Sequence, residues 1–155
     1  MRKISFYKIS LEIILALLVI LWIYTGLTKM INYADTRFQM GRSPFIKPIA
    51  GLVAVTLPAF EVMVAGLLVF KRTRLLGLYA SFFLMLLFTG YIYAMLHYSY
   101  YVPCSCGGVL AILSWNQHLI FNIIYTLFAL FGVILQTNLF EPFNLMSDPK
   151  TTTAS

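Results

Sequence analysis

Residues 75–98, LLGLYASFFLMLLFTGYIYAMLHY, contain no Lys, Arg, Asp or Glu, and only His97, at the far end, titrates near neutrality. A hydrocarbon core about 30 Å thick takes roughly 20 helical residues to cross. This stretch is long enough, and no charge inside it calls for water. Three further stretches share its character, from about Leu11 to Ile31, Pro48 to Phe70 and His118 to Phe140. The pattern predicts an all-α protein, an integral membrane four-helix bundle in one domain. Its helices fall at about 11–31, 48–70, 75–98 and 118–140, with a connecting loop at 99–117 and a polar tail at 141–155.

Composition supports this reading. The chain of 155 residues is 61% hydrophobic and 10% charged, against roughly 45–50% and 25% in soluble domains. Its net charge of +6 does not point to nucleic acid, because the basic residues sit in short clusters between uncharged runs and leave no polar surface for a basic groove. The first apolar stretch follows Arg2, Lys3 and Lys8, so a signal peptide is a competing reading. The stretch is too long for one and no Ala-x-Ala-like site follows, so it is expected to be retained as a helix. Its charges, Glu12 and Lys29, lie near its ends, where they can reach headgroups.

Orientation follows from the distribution of Lys and Arg over short loops. Arg2, Lys3 and Lys8 share a side with Lys71, Arg72 and Arg74, whereas the opposite loops offer Arg37, Arg42 and Lys47. Six against three places both termini in the cytoplasm. The loop at 99–117, without a Lys, Arg, Asp or Glu, then faces the compartment in which disulfides persist.

That loop carries both cysteines, in Pro103-Cys104-Ser105-Cys106-Gly107-Gly108. One intervening residue allows their Cα atoms to come within the roughly 4.4–6.8 Å that a disulfide accepts. So small a ring is expected to be strained, and a strained, exposed disulfide suits exchange better than stapling. A bridge that rigidifies the loop, or two thiols without a role, are the alternatives. A third is a tetrahedral site of two thiolates with the flanking imidazoles of His97 and His118, although the spacing fits no standard ligand pattern and a lone interfacial histidine commonly serves as a polar anchor.

Glu61 lies ten residues before Lys71, about 15 Å along a helix and near mid-membrane. A carboxylate there should face the bundle interior and be protonated or paired. Lys29 is the nearest basic candidate, toward the far end of helix one. Pro58, three residues before Glu61, frees the carbonyl of Ala54, so a protonated Glu61 could instead satisfy the opened backbone. Proton transfer and contact with a quinone headgroup are the functional alternatives. Trp22, Trp115, Tyr91, Tyr93, Tyr98, Tyr100 and Tyr101 are read as interfacial anchors where they lie near helix ends. Gly66, Gly77 and Gly90 are candidates for close helix approach. The first loop, with Asp35, Arg37 and Arg42, is long enough to fold over the bundle mouth and shows no catalytic constellation.

Gly26-Leu27-Thr28-Lys29, then Leu57-Pro58-Ala59-Phe60-Glu61 with Gly66-Leu67-Leu68, then Cys104-Ser105-Cys106-Gly107-Gly108 together resemble the MauE/DoxX-like family of redox-associated membrane proteins, over roughly Leu17 to Leu135. The family pattern tends to Cys-Gly-Cys followed by an aromatic and Gly; here Ser105 and Gly107 stand in those places. The resemblance implies a bundle in the bacterial inner membrane that works with a thioredoxin-fold protein in maturing disulfide-containing proteins outside the cytoplasm, with Cys104 and Cys106 as the reactive pair. Members are also described as subunits of larger membrane assemblies, which gives a second, non-enzymatic reading. Quinone-linked disulfide oxidases relay electrons between two cysteine pairs, whereas this chain has one; a quinone is the only cofactor the comparison brings forward.

Overall fold

The structure, a computed structural model, describes residues 2–42, 47–98 and 114–146. Its helices are α1 (Arg2–Ile31), α2 (Tyr33–Gly41), α3 (Ala50–Val69), α4 (Arg74–Tyr98) and α5 (Trp115–Met146), with a 3-10 turn at Lys47–Ile49 before α3. Four are long and apolar enough to cross a membrane: Phe6–Ile31, Lys47–Val69, Arg74–Tyr98 and Asn116–Asn138. The chain is a multi-pass, all-α membrane protein. The start of α1, the end of α5 and the α3–α4 turn lie at one end of the bundle, the terminal end; α2, the end of α4 and the start of α5 lie at the other, the loop end.

Each spanning helix buries one stripe and leaves an equally apolar outer face. On α1 the stripe is Leu11, Leu15, Leu18 and Trp22, while Ile13, Ile20 and Leu27 point outward. Spacings of three and four residues keep these positions on one side of a 3.6-residue helix. The stripe meets Val64, Ala65 and Leu68 of α3, Leu78 and Met85 of α4, and Ala129 and Val133 of α5 in a single core. A face apolar all round is what lipid requires, since hydrocarbon offers outward side chains no reason to be polar. α1 packs chiefly on α3, and α4 chiefly on α5.

Helix ends depart from the sequence expectation where polarity and hydrogen bonding part company. α1 begins at Arg2 rather than near Leu11, because no Gly or Pro interrupts residues 2–25 and a helix continues past the point where it leaves the lipid. α5 begins at Trp115 rather than His118, and a capping box sets the place: the Ser114 amide donates to Gln117 Oε1 at 2.9 Å and the Gln117 amide to Ser114 Oγ at 3.4 Å. At its other end α5 runs to Met146, so residues 141–146 of the expected tail are helical. The first loop is not irregular throughout, for it contains α2. Thr36 and Met40 of α2 are buried, with Met40 packed among Ala50, Ala54, Val53 and Leu57 on the first two turns of α3.

Close helix approach falls on glycines other than those expected, with one exception. A Cβ on Gly77 would stand 2.9 Å from the Leu68 backbone nitrogen, and one on Gly132 would stand 2.8 Å from Leu78 Cδ2. Gly66 and Gly90 have nothing within 4 Å of the corresponding point. Gly77 follows the tight α3–α4 turn, where the Thr73 hydroxyl donates to the carbonyls of Leu67 at 2.9 Å and Phe70 at 3.2 Å. That satisfies acceptors left open by the end of α3.

Candidate functional site

The described residues bring one charged pair into the bundle interior. Lys29 continues the buried stripe of α1, three residues beyond Gly26 and seven beyond Trp22. Glu61 belongs to the α3 stripe of Ala54, Pro58, Ala65 and Leu68. Antiparallel packing places these stripes face to face, and Lys29 Nζ lies 2.5 Å from Glu61 Oε1 with both side chains buried. Gly26 makes the approach possible: a Cβ there would lie 2.9 Å from Val62 Cγ2, 3.3 Å from the Pro58 carbonyl oxygen and 3.4 Å from Glu61 Cβ. Any side chain at residue 26 would push α1 from α3 at the level of the pair.

The surroundings are aromatic and sparsely polar. Lys29 Nζ sits 5.6 Å from the centroid of the Phe88 ring, an arrangement in which the ring face stabilises the cation. Phe88 in turn lies 6.1 Å from the Trp22 ring, and Trp22 Nε1–H donates to Ser81 Oγ at 2.9 Å across the core. Trp22 is wholly buried and is a core residue rather than an interfacial anchor. Among the described residues, Glu61 Oε2 is buried without a hydrogen bond. On the loop side, α2 is seated against the pair's neighbourhood, with the Thr36 hydroxyl 3.5 Å from the Lys29 carbonyl oxygen.

This corrects one sequence expectation, for Lys29, and decides between two alternatives for Glu61. Lys29 does not reach for headgroups but turns inward, because its position lies on the buried stripe. Glu61 is paired with Lys29 rather than bonded to the Ala54 carbonyl. A buried charge alone is strongly disfavoured, and two that neutralise each other are the arrangement a low-dielectric interior tolerates. Sequence held the signal, since 11, 15, 18, 22 and 29 form one stripe, but the polarity of Lys29 near a helix end favoured the snorkelling reading.

Other polar side chains form a seam between α4 and α5. Asn122 Nδ2 donates to the His118 carbonyl at 2.9 Å, the Thr126 hydroxyl to the Asn122 carbonyl at 2.7 Å and the Thr89 hydroxyl to the Met85 carbonyl at 2.7 Å, with the two hydroxyls 3.4 Å apart. Each of these polar groups is satisfied by the helix it belongs to, which is how polar groups persist in lipid. His118 is buried. His97 is exposed, its Nδ1 3.0 Å from the Tyr93 carbonyl oxygen and its ring 4.2 Å from the Tyr93 ring. Among the described residues no cluster of three or more His, Cys, Asp or Glu could hold a metal ion. Cys104 and Cys106, with Tyr100 and Tyr101, lie outside the described residues.

No curated protein and no solved structure matches the chain significantly. Residues 7–135, from the first span to the last and including both members of the buried pair and both cysteines, match the family described as "Methylamine utilisation protein MauE", and the chain belongs to that family.

Proposed function

We propose that this protein is a membrane-embedded thiol–disulfide redox component that acts with a thioredoxin-fold partner on the non-cytoplasmic side of the bacterial inner membrane. One observation carries the reading: in a MauE-family chain the two cysteines of the sequence are one residue apart, in the connection between α4 and α5. The Lys and Arg distribution supports the side, with Arg2, Lys3, Lys8, Lys71, Arg72 and Arg74 at the terminal end against Arg37, Arg42 and Lys47 at the loop end. Both termini are then cytoplasmic.

The chemistry is exchange. The thiolate of one cysteine attacks a sulfur of the partner's disulfide, forming a mixed disulfide and releasing the partner's second sulfur as a thiolate. The other cysteine then attacks the mixed disulfide, so that Cys104 and Cys106 end oxidised to a disulfide and the partner ends reduced by two electrons. Run backwards, the same steps oxidise the partner. The buried Lys29–Glu61 pair has a structural part in this scheme, each charge neutralising the other where α1 meets α3.

Each single Cys→Ser variant, compared with the double variant on non-reducing gels, tests the proposal. Loss of the resolving cysteine should trap a thioredoxin-fold adduct that the double variant lacks. No adduct in either single variant, with unchanged activity in the double, would overturn exchange and leave a non-enzymatic subunit of a larger membrane assembly. Membrane-impermeant maleimide tests the side: labelling of reduced Cys104 only after the cytoplasmic face is opened would invert the topology.

A further inference from the structure

The three cations at the loop end are out of place by the charge rule that orients the chain; α2 carries one, Arg37, and its C-cap residue, Arg42, is the second. The apolar span of α1 ends at Ile31, Asn32 breaks the helix, and α2 starts at Tyr33. α2 then lies against the first two turns of α3 through Met40, so it sits beside the loop-end limits of two spans, Ile31 and Lys47. Headgroups gather where spans end.

Its two faces differ. Thr36 and Met40 are buried on one, and Phe38, 65% exposed, stands on the opposite one. Beside Phe38 is Arg42, whose guanidinium carbon lies 5.4 Å from the ring centroid. Arg37 extends along the flank toward α3, its Nε 3.6 Å from the point a Gly51 Cβ would occupy. Lys47 opens the 3-10 turn before α3. Asp35 is the one acid on α2, so the segment presents three cations against one anion. An exposed aromatic flanked by arginines on a helix lying at the membrane boundary fits the zone where rings settle among headgroups and cations meet lipid phosphates.

We propose that α2 is an interfacial helix that binds anionic phospholipid at the loop end, with Phe38 at the boundary between headgroups and acyl chains and Arg37, Arg42 and Lys47 on lipid phosphates. The binding is independent of the cysteines and of which side of the membrane the loop end faces.

The test compares thermal unfolding of the full chain in phosphatidylcholine nanodiscs with and without phosphatidylglycerol. Anionic lipid should raise the midpoint by about 3 °C or more, and an Arg37→Gln, Arg42→Gln, Lys47→Gln triple variant should lose at least half of that rise. A Lys71→Gln, Arg72→Gln variant, altered at the terminal end, should keep most of it. Inorganic phosphate in phosphatidylcholine discs should not reproduce it. An equal rise in the triple variant, a loss confined to the Lys71 and Arg72 variant, or an equal effect of inorganic phosphate would overturn the proposal. A second measurement does not rely on the triple variant folding: the emission that Phe38→Trp adds to a Trp115→Phe parent, taken as the difference between the two so that Trp22 cancels, should be quenched by shallow-brominated lipids more than by aqueous acrylamide. The reverse order would take residue 38 out of the membrane and leave this basic face to an acidic protein.

Discussion

Among the described residues two ion pairs tie α1 to its neighbours, and they differ chiefly in their surroundings. Lys29 and Glu61 are 2.5 Å apart with side chains 6% and 0% exposed; Arg74 and Glu12 are 2.6 Å apart with side chains 17% and 59% exposed. Distance and charge are nearly the same. The first pair has no water to fall back on if one partner is lost, whereas in the second Glu12 keeps most of its hydration. Geometry alone would rank the two as equals, and burial separates them.

The largest effect should come from breaking the buried pair on one side. Lys29→Met or Glu61→Leu alone leaves an uncompensated charge inside the bundle and should cost about 3–5 kcal/mol, read from unfolding in non-ionic detergent. The double variant should recover most of the loss, because two apolar side chains of similar size leave no charge behind. Within the single changes, Glu61→Gln should lose less than Glu61→Ala, since it keeps an acceptor for Lys29 and fills the same space. If the double variant were as unstable as either single one, the pair would be stabilising the fold by its attraction rather than by mutual neutralisation.

Next in size is the spacing that lets the pair form. Gly26→Ala would set a methyl 2.9 Å from Val62 Cγ2 and 3.3 Å from the Pro58 carbonyl oxygen, and overpacking of this kind costs about 1–3 kcal/mol. Gly66→Ala meets nothing within 4 Å and should be neutral, or stabilising by up to about 1 kcal/mol through helix propensity. Equal losses at the two positions would mean that α1 and α3 are not in the register described. Trp22→Phe removes the 2.9 Å hydrogen bond to Ser81 and leaves that hydroxyl without its partner, for about 1–3 kcal/mol; no loss would show that Ser81 is satisfied by its own helix.

What the sequence revealed follows the same division. The four spans were legible because lipid demands long apolar runs, a constraint on composition that needs no partner helix to be read. Helix ends were not, since hydrogen bonding continues beyond the lipid, as from Arg2 to Leu11 and from Glu141 to Met146. The start of α5 was written in Ser114 and Gln117, a capping box that hydropathy ignores. α2 escaped notice because one turn's worth of anchor, Thr36 and Met40, is too short a pattern to stand out among polar neighbours. The partner of Glu61 was the hardest to read: the 3-4 spacing of Leu11, Leu15, Leu18 and Trp22 extends to Lys29, but which stripe faces which depends on the packing of α1 on α3.

The smallest effect belongs to the outer pair, and it sharpens the contrast most. Glu12→Gln keeps the shape of the side chain and removes its charge, so Arg74 loses the partner that it meets through both terminal nitrogens, at 2.6 and 3.4 Å. Arg74 is partly sheltered and its Nε makes no hydrogen bond among the described residues, which argues for some loss. Against that, its terminal nitrogens lie at the membrane boundary, where water and headgroup phosphates replace a carboxylate at little cost. The expected change is about 0–1 kcal/mol, shrinking further at high salt because an exposed pair is screened within about a Debye length. The loss at Lys29→Met should not respond to salt, since ions do not enter the core. Unfolding of both variants at low and high ionic strength checks this: a salt-insensitive loss at Glu12, or a salt-sensitive one at Lys29, would mean that burial does not divide the two pairs as described.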